Sequence, residues 1–229
     1  MSAARRKDAL ERFSDRRQAG RLLADLVEQE IEGEDVVVLA LPRGGVPVGY
    51  EVATKLGAPL DVLLVRKLGV PWQPELAFGA IATGGVVVLN EDHVHALGIG
   101  SQMVRDIVHR ERMELERRES LYRDEQAPLD LQGKTVVVVD DGIATGSTVR
   151  AALASLAQRG AARRIVACPV AAVETIRGLE DEADAVVCVR TPVNFAAVGA
   201  WYEDFQPVSD REVRELLERA ATEVGEPID

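Results

Sequence analysis

The chain has 229 residues, which at roughly 150 residues per domain predicts one large domain spanning 1–229. At 47% hydrophobic and 28% charged it has the composition of a globular protein with a full core, which excludes a disordered or fibrous chain. Lys and Arg number 27 against 38 Asp and Glu, a net charge of −11, so no overall positive field exists to hold a polyanion and nucleic acid is not an expected partner.

No window approaches the ~18 uninterrupted apolar residues of a membrane span, and the opening MSAARRKDALERFSDRR lacks the apolar run of a secretory signal. A cytoplasmic protein with no membrane contact is expected. Residues 14–31 read as an amphipathic helix capped by Ser14 or Asp15, with Leu22, Leu23, Leu26, Val27 and Ile31 on one face for packing on a sheet edge. Runs apolar on both faces follow at 36–41, 59–65, 135–140, 164–170 and 185–189, separated by helical patterns at 45–56, 145–159 and 173–181. That succession predicts an α/β fold: an open, mainly parallel sheet flanked by helices. Cys168 and Cys188 fall inside two of these runs and read as buried thiols.

The first strand run ends at Pro42, and Arg43, Gly44 and Gly45 follow, so backbone N–H groups can turn inward on an anion with a guanidinium beside them. Arg66 and Lys67 close the second run, where a basic pair needs an anion or water. An insertion comes next: a loop at 68–78 holding Gly69, Pro71, Trp72 and Pro74, a strand pair around AIATGGVVVLN, and a charged helix at 101–123. Trp72 reads equally as lid packing or as an exposed anchor. His93 and His95 alternate on a short helix and therefore diverge, so both are read as solvated. Glu interleaved with Arg in RERMELERRES marks a solvated face. The last residues, GEPID, are expected to fray.

The most informative stretch is VVVVDDGIATGST, residues 136–148, in which an apolar strand ends on two carboxylates and a small-residue loop enters a helix. Ligands of open α/β sheets bind beyond the carboxyl ends of the strands, and a helix N-terminus offers free N–H groups and about half a positive charge to a phosphate. Ala144, Thr145, Gly146, Ser147 and Thr148 are small enough to close round an anion. Asp140 and Asp141 suit the vicinal hydroxyls of a sugar or a magnesium shell. Ser147 stands where a P-loop needs Lys, and no GxGxxG follows a strand, so both of those nucleotide motifs are excluded.

VVVVDDGIATGST resembles the phosphoribosyl-pyrophosphate (PRPP) signature of type I phosphoribosyltransferases, and the likeness extends over most of residues 30–210. It implies Asp140 and Asp141 on the ribose hydroxyls and 144–148 round the 5′-phosphate. Pro42 to Gly45 resembles the family's pyrophosphate loop, implying a non-proline cis peptide there. The 68–78 segment resembles the flexible loop that closes over the reacting centre, with Lys67 near the leaving pyrophosphate. Residues 190–208 resemble the acceptor-binding hood, where Phe195, Trp201, Tyr202 and Phe205 concentrate aromatics either as a stacking platform, with Trp201 and Tyr202 the candidates, or as core packing. Hypoxanthine-type members carry Asp where this chain has Ala144, as adenine, xanthine and uracil types do not. The resemblance implies Mg²⁺-dependent transfer of a phosphoribosyl group from PRPP to a nitrogenous base, in a chain able to act as a homodimer. A non-catalytic PRPP sensor on the same fold is the alternative.

Overall fold

A computed structural model describes residues 12–31, 33–70, 72–123 and 128–225. Its main sheet has five strands in the order β2-β1-β6-β7-β8, every neighbouring pair parallel. They are β1 (Val36–Ala40), β2 (Leu60–Val62), β6 (Thr135–Val139), β7 (Arg163–Val170) and β8 (Ala185–Arg190). Period-two alternation sorts the apolar residues onto two faces. Val37, Leu39, Val136, Val138, Val166 and Cys168 belong to one core; Val36, Val38, Val137, Val139, Ile165 and Ala167 belong to the other. With helices on both sides there is no polar face, which is why the strands read as unbroken Val-rich runs.

Helix α1 (Arg16–Glu30) is capped by Asp15, whose carboxylate accepts from the Gln18 N–H, and α2 (Gly45–Leu56) ends on left-handed Gly57. Both cover the second face. Helix α1 lies toward the β8 edge, as expected: it packs on β7 and the edge strand β8 beside α2, with Leu23, Ala24 and Val27 buried, while Leu22 and Leu26 of the expected apolar face are exposed. On the first face lie α5 (Ser147–Gln158) and α6 (Val173–Glu180). The amphipathic α7 (Asp210–Gly225), absent from the sequence-based expectations, seats Val213, Leu216 and Ala220 against Val46, Tyr50 and Val62. All of GEPID beyond Gly225 lies outside the described residues.

The insertion differs most from expectation. The 59–65 run breaks into β2 and the start of β3 (Val65–Val70), and much of the expected 68–78 loop is strand: β3 pairs antiparallel with β4 (Gln73–Ala82), which pairs with β5 (Val86–Leu89). Leu68, Val70 and Phe78 are fully buried, and register shifts on either side of Gly69 absorb the irregularity that its glycine signals. After α3 (Glu91–Ala96), helix α4 (Ser101–Tyr122) lays Ile107 and Leu115 on this second sheet. His93 and His95 are exposed on α3. Cys168 and Cys188 are free thiols in register on neighbouring strands, with sulfurs 3.6 Å apart.

A buried ion pair ties the insertion to the main sheet. Arg123, just past α4, donates from Nε and Nη2 to the two carboxylate oxygens of Asp61 at 2.9 and 2.7 Å, and from Nη2 to the Val62 carbonyl at 2.6 Å. Removing one member strands the other charge away from water. Arg123→Met should lower unfolding stability by about 3 kcal/mol in urea titrations. Adding Asp61→Asn should recover much of that loss.

Candidate functional site

Strand order places β1 and β6 side by side although one is connected onward to β2 and the other to β7. The chain thus leaves this pair toward opposite edges, and the crevice at such a switch is where open α/β sheets bind ligands. Pro42 to Gly45 follows β1, and Asp140 to Gly146 follows β6. The Leu41 N–H donates to the Val139 carbonyl at 2.8 Å, which draws the two loops together.

Their contact explains the glycines. The Asp141 carboxylate lies against Gly44 where a Cβ would stand, and a Cβ on Gly45 would sit 2.6 Å from the Val139 carbonyl oxygen. Any side chain there would push the loops apart. The Pro42–Arg43 peptide is cis, as the resemblance implies. Arg43 is exposed, with Nη1 3.7 Å from Asp210 at the start of α7.

The loop from Ala144 to Gly146 has a strict polarity. Its carbonyls face protein donors: Ile143 O accepts from the Ala172 N–H at 3.3 Å, Ala144 O from the Thr175 hydroxyl at 2.5 Å, Thr145 O from Arg150 Nη1 at 3.0 Å and Gly146 O from the Arg150 N–H at 2.9 Å. Among the described residues, no acceptor meets the backbone N–H groups of Ala144, Thr145, Gly146, Ser147, Thr148 or Val149. Gly146 has φ +74°, a left-handed conformation that glycine adopts without strain, and it opens α5. Thr145 and Ser147 add hydroxyls 3.3 Å apart. Six amides and a helix N-terminus on one loop make an anion cradle.

Beside it, Asp140 and Asp141 are recessed. Burial, reinforced by the neighbouring Asp141 charge, pushes the Asp140 carboxyl well above the usual carboxylate range; its Oδ1 accepts the Asp141 N–H at 2.9 Å. Burial raises Asp141 as well, opposed by Arg16, whose Nε donates to Oδ2 at 2.8 Å. Arg16 also donates from Nη1 to the Gln206 carbonyl at 2.9 Å and stacks 3.9 Å over the Phe205 ring. The Tyr202 hydroxyl donates to the Asp141 carbonyl at 2.5 Å.

One expected site residue therefore changes role. Tyr202 is 2% exposed and packs against Phe13 and Phe205, so it has no open face for a stacked acceptor and instead supports Asp141 from behind. Trp201 is half-buried in the same aromatic cluster. Lys67 sits exposed in β3 opposite Ala80, in the smaller sheet, and its ammonium makes no ion pair among the described residues; its neighbour Arg66 is held by Glu111 at 2.5 Å. Trp72, 59% exposed next to β4, is not packed as a lid. Arg16 was missed by sequence reasoning. It stands 125 residues from Asp141 and reads locally as one more charge in the first turn of an amphipathic helix.

Residues 12–69 and 71–204 match the model of the phosphoribosyl transferase domain. The chain belongs to the phosphoribosyltransferase family. It is 46% identical over 214 residues to a Mycobacterium tuberculosis protein named "Putative phosphoribosyl transferase Rv0571c"; that match takes in 93% of this chain and 48% of the relative. The chain thus spans about half the length of that curated relative. The protein named "Bifunctional protein PyrR" from Chloroflexus aurantiacus is 31% identical over 140 residues, 60% of this chain and 69% of that one. Among solved structures, the protein TT1426 from Thermus thermophilus superposes with a TM-score of 0.82 at 43% identity, covering 91% of this chain and 98% of that one. TT1426 shares the α/β architecture. No described helix is long and apolar enough to cross a membrane.

The strained ionisation of Asp140 has a measurable sign. Its folded carboxyl holds a proton to higher pH than the unfolded one, so native stability is full below the unfolded value of 3.8 and falls as pH rises through the raised folded value. Asp140→Asn keeps an oxygen for the Asp141 N–H and removes the charge. It should therefore be more stable than the parent at about pH 7 and equal to it near about pH 4, measured by urea unfolding across that range. A difference independent of pH would contradict the account.

Proposed function

We propose that the chain is a Mg²⁺-dependent phosphoribosyltransferase that moves a 5-phosphoribosyl group from PRPP to a nitrogenous base and releases pyrophosphate. The observation that carries this reading is the Ala144 to Val149 amide cradle lying next to two recessed carboxylates. A phosphate in the cradle would leave the attached ribose beside Asp140 and Asp141, whose oxygens accept hydrogen bonds from vicinal hydroxyls. The Arg43 to Gly45 turn then lies on the same crevice for a second, pyrophosphate group.

The donor set fits a metal ion that arrives with its substrate. Among the described residues no group of three or more His, Cys, Asp and Glu could hold a metal, and one of the two carboxylates is already bound by Arg16. Magnesium keeps most of its waters and is commonly held by one or two carboxylates plus substrate phosphates. Asp140 and Asp141 would border such an ion; when bound it neutralises charge on the departing pyrophosphate. The protein's own part is positioning. The cradle and carboxylates hold the ribose still as the C1–oxygen bond to pyrophosphate breaks and the bond from C1 to the base nitrogen forms, and Arg43 offers positive charge to the leaving group. The acceptor site belongs to the hood, where Trp201 is only partly buried whereas Tyr202 is enclosed. Cytoplasmic action in nucleotide salvage, and pairing of two copies, complete this reading.

Adding PRPP and Mg²⁺ should raise the melting temperature by mass action, and Asp140→Asn combined with Asp141→Asn should abolish the shift without unfolding the protein. Gly146→Val should likewise weaken PRPP far more than a base: a side chain is strained at this left-handed residue, and its Cβ would not enter the cradle but strike Arg150 and Thr175, which hold the loop's carbonyls. A panel of purine and pyrimidine bases, scored by pyrophosphate release, identifies the acceptor. Retained PRPP binding with no release for any base would replace the transferase reading by the sensor.

A further inference from the structure

The cradle's polarity is imposed from outside the loop, by two side chains. A trans peptide is planar, so the direction of one residue's C=O fixes the opposite direction for the N–H of the next. Holding Ala144 O therefore aims the Thr145 N–H, and holding Thr145 O aims the Gly146 N–H. The first carbonyl is held by the Thr175 hydroxyl from α6 and the second by Arg150 Nη1 from α5.

Both holders are themselves built in. Arg150 Nε donates to Glu182 at 2.6 Å, which anchors the guanidinium beneath the loop. Two glycines leave it room: a Cβ on Gly178 would meet Arg150 Nη2 at 2.6 Å, and one on Gly146 would meet Arg150 Nη1 and Thr175 Cγ2, each at 2.9 Å. Thr175 is 9% exposed, so its hydroxyl has little access to water as an alternative partner. Without these donors the two peptides are free to rotate, and either rotation turns a carbonyl oxygen toward the anion in place of an N–H.

Resting on the reading that this loop takes the 5′-phosphate, we propose that Arg150 and Thr175 are positioning residues that lock its amides toward the phosphate, although neither need touch the substrate. Their substitution is then specific to the phosphate end of the ligand. The Arg43 to Gly45 turn, built on β1, does not depend on them.

The test compares calorimetric titrations of ribose 5-phosphate with titrations of magnesium pyrophosphate, with melting temperature recorded for each variant. Thr175→Val, which keeps shape and removes the hydroxyl, should weaken ribose 5-phosphate about ten-fold and leave magnesium pyrophosphate within about two-fold of the parent. Thr175→Ser should restore most of the affinity. Arg150→Met should reproduce the selective loss and carries the measurement if Thr175→Val does not fold. Undiminished ribose 5-phosphate binding in Thr175→Val and Arg150→Met, equal weakening of both ligands, or a Thr175→Ser variant as weak as Thr175→Val would each overturn the proposal. A parent that binds no ribose 5-phosphate would overturn the phosphate reading and this inference with it.

Discussion

The structure depends on the pairing of β1 with β6. These two parallel strands are buried on both faces, run in register from Val36 opposite Thr135 to Ala40 opposite Val139, and send their chains toward opposite edges of the sheet. Their carboxyl ends therefore stop together over a crevice that no crossover covers. The glycine turn after one strand and the acidic pair after the other are in contact because the strands beneath them cannot shift. A slip of one residue would turn each strand's inward faces over and empty both cores at once.

Around that crevice the protein holds charge in an unfavourable place. Asp140 and Asp141 are desolvated neighbours; Arg16 hydrogen-bonds Asp141, and its charge gives Asp140 a lesser relief. Arg16 reaches the site because the segment before α1 is joined to the hood: Phe13 N–H donates to Trp201 O at 2.9 Å, Glu203 N–H to Phe13 O at 2.8 Å and Asp204 N–H to Ser14 O at 2.9 Å. The aromatic cluster of Phe13, Tyr202 and Phe205 packs this junction and seats the guanidinium. Aromatics that look like a binding platform in the sequence thus serve first to deliver a cation and a hydroxyl to Asp141. Stability given up at the acid pair is the usual accompaniment of a site kept ready for a ligand.

The insertion between β2 and β6 is a body with its own core. Leu68, Val70, Phe78, Ile81, Ile107 and Leu115 form a cluster separate from those of the main sheet. Arg66 with Glu111 and Glu114 joins β3 to α4 within it, Arg123 with Asp61 ties its end to the main sheet, and its strands pack against α5. Gly69 and the prolines near it suggest a loop when read one residue at a time. Antiparallel pairing accommodates the glycine at an irregular register, and burial of alternate side chains outweighs local turn preference.

What the sequence determined by itself is the part of the molecule governed by short-range rules. Strands buried on both faces must be continuous in apolar residues, so β1, β6 and β7 were legible, as were the half-buried edge strand β8, α2 and a cap of α1 at Ser14 or Asp15. The order of apolar strand, two carboxylates, small-residue loop and helix likewise exposed the candidate site, because a cradle of amides at a helix N-terminus is a local construction. The carbonyl contacts of Thr175 and Arg150 could not be read there, since they depend on how α5 and α6 pack. Arg16 lies 125 residues from the carboxylate it binds, and Tyr202 lies 61 from the carbonyl it supports. Such partners are chosen by where the chain returns in space, and a charged or aromatic side chain looks the same in sequence whether it meets water, a core or a carboxylate.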